Sequence, residues 1–161
     1  ASLATMIAQR ASGHAALLPS PAILERLETK QAIERDRTVA GVLEQAAHAD
    51  AFLFTAGVCD AGSAHVENGY LNVRDIAELA RRGAVGDVLG RYIDADGNIV
   101  DPELDARTVG LSLNRLRAAR TSVFVTAGAA KHDIARTVVT ANLCTMVVTD
   151  EATARTLLEE E

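Results

Sequence analysis

The pattern that most restricts this chain is a short apolar run of strand length handing over to a helical stretch, repeated along the sequence. Thr121–Thr126 leads through a small-residue turn into a helical segment from Ala129 to Ala141, and Thr145–Val148 leads into Glu151–Leu158. Ala51–Gly57 is a third apolar run, preceded over Thr38–Ala49 by a stripe of Val39, Val42, Leu43, Ala46 and Ala47 at helical spacing. Continuous apolar runs suit strands buried on both faces, and parallel neighbours require a crossover that a helix supplies. The repeated β–α units therefore predict an α/β fold with a mainly parallel sheet and helices on both faces. At 161 residues, 48% hydrophobic but only 3% aromatic, the chain fits one domain with a core packed from aliphatic side chains.

The other segments are read more coarsely. Ser2–Arg10 is a helical segment ending before Gly13, His14–Leu18 a short buried strand stopped by Pro19 and Pro21, and residues 22–36 a charged surface connection with one helical turn. Asn72 is a good N-cap for a helix from Val73 to Arg82 that Gly83 closes. Val88–Ile93 and Asn98–Val100 flank Asp94-Ala95-Asp96-Gly97, which predicts a β-hairpin flap. Thr108–Leu111 precedes a helix capped by Ser112, and Glu159–Glu161 forms a solvated helix end.

Several function classes are excluded by what is missing. The net charge is −6 and the basic residues are scattered, with Arg81-Arg82 the one adjacent arginine pair, so this segment has no footprint for nucleic acid. No apolar run approaches the roughly 20 residues of a membrane span, and Ala1–Met6 has no basic start to an export signal, so a cytoplasmic protein is expected. Cys59 and Cys144 lie far apart without a CxxC or paired histidines, and are read as buried thiols. There is no hydrolase elbow, zinc-protease, P-loop or dinucleotide fingerprint. Accordingly, no catalytic residue, metal ligand or cofactor is expected.

Binding chemistry concentrates in two places. Ala127-Gly128-Ala129-Ala130-Lys131 joins a buried strand to a helix, where small residues let a ligand approach the backbone and free N–H groups attract an anion. Lys131 opposes the helix dipole there, which points to an anion contact over a solvent-facing lysine or a Schiff-base role. In Gly83-Ala84-Val85-Gly86-Asp87 the carboxylate either accepts hydrogen bonds from sugar hydroxyls or orders its own turn. Asp150 is read as the N-cap of the last helix, His132 as a solvent-facing helix residue, and His65 as a loop residue without a role.

Taken together these blocks form a recognisable series. Leu17-Leu18-Pro19-Ser20-Pro21, Asn68-Gly69-Tyr70-Leu71, Gly83–Asp87 with Leu89-Gly90-Arg91-Tyr92 and Asp94–Gly97, Ala127–Lys131, and Val148-Thr149-Asp150-Glu151-Ala152 resemble, in order, the sugar-binding domain of SorC-type bacterial transcription regulators. The resemblance runs through nearly the whole chain. It implies a fold similar to sugar-phosphate isomerases and glucosamine-phosphate deaminases, reused without catalysis as the sensor of a phosphorylated sugar. The alternative is an isomerase- or deaminase-like enzyme that kept its activity. It further implies a homo-oligomer, dimer or tetramer, and DNA contact through an upstream domain outside this chain. Residues 1–161 would then be an effector-binding domain lacking its first β–α units. Carried over position by position, Asp87 and Lys131 are the ligand contacts, with Gly57, Asn68 and Gly128 as site-forming positions. The chain departs from the family at Ala127, where a glycine is usual, and at Thr55 and Gly57, which replace a glycine pair.

Overall fold

A computed structural model describes residues 2–159; Ala1 and the last two glutamates of the acidic tail lie outside the described residues. In chain order the elements are α1 (Leu3–Arg10), α2 (Leu27–Arg35), α3 (Arg37–Ala47), β1 (Phe52–Phe54), β2 (Ala56–Val58), α4 (Ala64–Glu67), α5 (Val73–Arg81), β3 (Gly86–Val88), β4 (Arg91–Ile93), α6 (Pro102–Arg107), α7 (Leu113–Ala118), β5 (Ser122–Val125), α8 (His132–Thr140), β6 (Met146–Val148) and α9 (Glu151–Leu158). A 3-10 turn, Ala129–Lys131, precedes α8.

The α/β expectation holds in the form of two small sheets. β1, β5 and β6 make a parallel sheet in that order, with Phe54 opposite Phe124 and Phe124 opposite Val147. β2, β3 and β4 make an antiparallel sheet, with Gly57 opposite Asp87 and Asp87 opposite Tyr92. The run read as one strand over Ala51–Gly57 is cut at Thr55, because the chain leaves β5 there and takes β3 as its new neighbour.

Phe54 and Phe124 stack with ring centroids 5.4 Å apart, and this side of the parallel sheet is sealed by Leu113 and Leu116 of α7 and Ile134, Ala135 and Val138 of α8. These residues lose nearly all contact with water, each worth roughly 1.5–3 kcal/mol for a large aliphatic side chain. Helical cover is thinner on the opposite side, where Leu53, Val125, Met146 and Val148 stay exposed. A second core holds Ile23, Leu71, Ile76, Leu79, Tyr92 and Leu104 between the antiparallel sheet and α5 and α6. α5 begins with a full capping box: Asn72 accepts from Arg74 and Asp75 N–H, and Asp75 accepts from Asn72 N–H at 2.8 Å.

Four local expectations are corrected. His14–Leu18 forms no strand, and Leu17 is exposed; the two prolines leave only Ile23 to bridge Thr108. The connection at 22–36 contains a nine-residue helix, α2, which packs on α3 and carries a Lys30–Glu34 pair at 2.8 Å. The tight hairpin joins β3 to β4 through Leu89 and Gly90, whose φ values of 55° and 78° match the mirror-image turn that suits strand twist. Asp94–Gly97 instead closes a single bridge, Ile93 to Ile99, with Asp94 Oδ1 accepting from Asp96 and Asn98 N–H. Cys59 and Cys144 are free but only half-buried.

Candidate functional site

Asp87 sits in the middle of β3 and is 8% exposed, an unusual environment for a carboxylate. Space for it is made by the facing strand: a Cβ on Gly57 would fall 2.1 Å from Asp87 Oδ1, so the carboxylate occupies the volume that any larger residue would fill. Its other oxygen accepts from Gly90 N–H at 2.9 Å, a bond the positive-φ hairpin turn makes available. Gly86 is held as tightly, since a Cβ there would meet Gly57 O at 2.4 Å and Ile134 at 2.8 Å.

Around the carboxylate lies a polar shelf from the segment between β2 and α5. His65 Nδ1 is 3.9 Å from Asp87 Oδ1 and 2.9 Å from Tyr92 Oη, and Ser63 Oγ is 3.2 Å from the same phenol. Burial pushes the Asp87 carboxyl above its ordinary range, opposed by His65, by the Gly90 N–H and by the charge of Lys131. The same burial, with Asp87 and Asp60 nearby, pushes the Cys59 thiol up to about 11, which makes it a poor nucleophile.

The positive pole comes from the other sheet. Gly128 ends the loop after β5 with φ 91°, and the 3-10 turn it starts packs against β2 and presents Lys131, half-buried, as the N-cap of α8. Gly128 N–H is not free for an anion: it donates to Asp150 Oδ2 at 2.8 Å. Thr126 and Thr149, the residues just past β5 and β6, keep buried hydroxyls with no hydrogen-bond partner among the described residues.

The residues named from sequence are thus partly assembled. Gly57 and Asp87 are in direct register, and Lys131 acts on Asp87 through its charge. Gly128 shapes the lysine turn. Asn68 is the exposed C-cap of α4, and its side-chain amide donates to Ala64 O at 2.8 Å. Sequence reasoning gave His65 no role and did not name Ser63 or Tyr92 as site residues, because their convergence depends on pairing across 27 to 29 positions. His132 does not face solvent freely: its Nε2 lies 3.2 Å from Thr153 Oγ1. Asp150 does cap α9, accepting from Thr153 N–H at 2.9 Å.

A family model described as "Putative sugar-binding domain" matches residues 1–159. The chain belongs to that sugar-binding domain family. Among relatives, the chain is similar to the deoxyribonucleoside regulator of Bacillus subtilis (strain 168), 31% identical over 143 residues that make up 89% of this chain and 45% of that protein. It is also 27% identical over 152 residues to the erythritol catabolism regulatory protein EryD of Brucella abortus, covering 94% of the chain and 48% of that protein. The chain therefore spans about half the length of the curated relatives it matches. Among solved structures, a DeoR family transcriptional regulator from Listeria monocytogenes superposes with a TM-score of 0.87 at 28% identity, covering 94% of this chain and 62% of that one. The full-length sorbitol operon regulator SorC from Klebsiella pneumoniae shares the fold, with a TM-score of 0.84 at 23% identity over 94% of this chain and 49% of that one. The SorC resemblance read from sequence and the sugar-binding domain family agree. No helix among the described residues is long and apolar enough to cross a membrane.

Proposed function

We propose that this member of the sugar-binding domain family is the effector-sensing part of a bacterial transcriptional regulator and takes a phosphorylated sugar between Asp87 and Lys131. The observation that carries the reading is that the lysine turn packs against β2, the strand whose Gly57 lies opposite the buried Asp87 carboxylate, so that a cation and a carboxylate carried by different sheets flank the same strand. A carboxylate is an acceptor-only group that fits sugar hydroxyls, and a lysine beside a helix start fits a phosphate. Gly57 leaves room for the carboxylate, and Gly128 shapes the turn that carries the lysine.

In this reading the domain does no chemistry. The relatives are named as regulators. Further β–α units and a DNA-contacting domain elsewhere in the longer protein complete the regulator, which works in the cytoplasm as a dimer or tetramer. Ligand shifts DNA affinity because it binds the two packing states unequally. Calorimetry of the full-length protein against pentose and hexose phosphates tests this: saturable binding without turnover is expected, and Lys131→Ala should abolish the advantage of a phosphorylated sugar over the free sugar. Steady turnover of a sugar phosphate that disappears in Asp87→Asn would overturn the sensor in favour of an enzyme.

A further inference from the structure

The lysine turn is fastened on both flanks by the start of the last helix. Before the turn, Gly128 N–H donates to Asp150 Oδ2 at 2.8 Å. After it, His132 Nε2 meets Thr153 Oγ1 at 3.2 Å. The two anchors are themselves joined, because Thr153 Oγ1 donates to Asp150 Oδ2 at 2.9 Å while Thr153 N–H donates to Asp150 Oδ1 at 2.9 Å. With its one proton committed to Asp150, the Thr153 hydroxyl accepts from His132 Nε2. Thr153 is fully buried where α9 packs on α8, which anchors the inner end of this chain of bonds, while the Gly128–Asp150 bond lies at the surface.

We propose that Asp150 and Thr153 are positioning residues for ligand binding: together they form a clamp that fixes the Ala129–Lys131 turn and so aims the Lys131 ammonium. The inference rests on the reading of Lys131 as a ligand contact. Capping α9 needs only one carboxylate oxygen, the one that accepts Thr153 N–H. The second oxygen accepts from Thr153 Oγ1 in the first turn of α9 and also reaches across to Gly128 at the neighbouring strand end, and the bond to Gly128 has no part in holding α9 together. Three hydrogen bonds converge on the Asp150 carboxylate and hold it down at about 2, so it is ionised and accepting throughout the physiological range. A consequence is that α9 is mechanically tied to the ligand lysine, and a shift of that helix is felt at the site.

Asparagine at 150 separates the two jobs of the carboxylate. It keeps an oxygen for the Thr153 N–H and remains a good N-cap, but its amide nitrogen can accept neither from Gly128 N–H nor from the Thr153 hydroxyl, so both bonds of the clamp to the second oxygen are lost. In the full-length protein, Asp150→Asn is expected to speed amide hydrogen exchange at Gly128 and across the turn by about tenfold and to weaken glucose 6-phosphate or ribose 5-phosphate binding, whichever the parent takes, by about tenfold, with the thermal midpoint little changed. Thr153→Val should weaken binding similarly, and Thr153→Ser, which restores the hydroxyl, should recover it. Unchanged exchange in Asp150→Asn overturns the clamp outright. Faster exchange with parental affinity, or failure of serine to recover what valine loses, overturns its positioning role. A parent protein that binds neither phosphate refutes the ligand reading itself, and the exchange result still decides the clamp.

Discussion

The two poles of the site are built in opposite ways. Lys131 stands on a turn between consecutive elements, half-buried, fastened by Asp150 and Thr153 of the next β–α unit. Asp87 is nearly sealed inside an antiparallel hairpin, and its surroundings come from β2, the β3–β4 turn and the segment before α5. The lysine stays partly hydrated on a turn held by the next β–α unit, whereas the carboxylate exists at the expense of desolvation that the fold must offset. A ligand that spans them would tie the parallel sheet to the antiparallel one, which is a route from binding to a change of domain shape.

Substitutions that act on one pole alone test this contrast. The largest effect is expected at Gly57→Ala, because a methyl 2.1 Å from Asp87 Oδ1 forces the carboxylate or the β2–β3 pairing apart. A loss of about 2–3 kcal/mol in denaturant unfolding, together with loss of ligand binding, is the expected outcome. Parental stability would mean that Asp87 swings away freely and that the pole is not rigid.

Lys131→Ala comes next. Removing a charged hydrogen-bond donor should cost about 2 kcal/mol of sugar-phosphate affinity, with little change in the thermal midpoint, since Lys131 is half-buried and caps by its backbone alone. Calorimetry and a thermal melt read the two parts separately.

Asp87→Asn should do the reverse on stability. Burial raises the Asp87 carboxyl in the folded state, so the folded chain holds its proton more tightly than the unfolded one. That contribution is fully present below the unfolded value and is lost as pH rises through the raised folded value. At neutral pH the ionised group is therefore a burden, and asparagine should raise stability by about 1 kcal/mol while weakening binding. A variant less stable than the parent at pH 7 would show that His65 and Gly90 more than compensate for the burial.

The smallest effect belongs to Asp150. Its folded value of about 2 lies below the ordinary 3.8, so the stability it adds is present above 3.8 and is lost as pH falls from there towards 2. Because the group is solvated, screening keeps the effect small. Comparing the acid limb of unfolding in the parent and in Asp150→Asn should show a steeper loss in the parent.

This contrast also explains what was legible in the sequence. The strand–turn–helix at Lys131, the Asn72 cap and the Asp150 cap all depend on residues within a few positions of each other, and their chemistry can be read locally. Asp87 itself was visible through its flanking glycine, but Gly57, His65 and Tyr92 reach it only through tertiary pairing. The β3–β4 turn was hidden because Leu89 adopts a positive φ that leucine rarely takes, and tertiary packing overrode that preference. Helix α2 was hidden because none of its residues is fully buried, so its apolar stripe is weak and its support comes from α3 and an ion pair. The absent strand at His14–Leu18 shows the converse: an apolar run forms a strand only where a neighbour exists to pair with it.

The central claim is that Asp87 and Lys131 hold one ligand from opposite sides. A double-mutant cycle with Asp87→Asn and Lys131→Ala, measured by calorimetry of the full-length protein with the sugar phosphate it takes most tightly, tests it most directly. Both single variants should lose affinity, and the double variant should lose less than their sum, with a coupling of about 1 kcal/mol because both contacts depend on the same bound pose. Strict additivity, or a single variant that binds like the parent, would contradict a shared site.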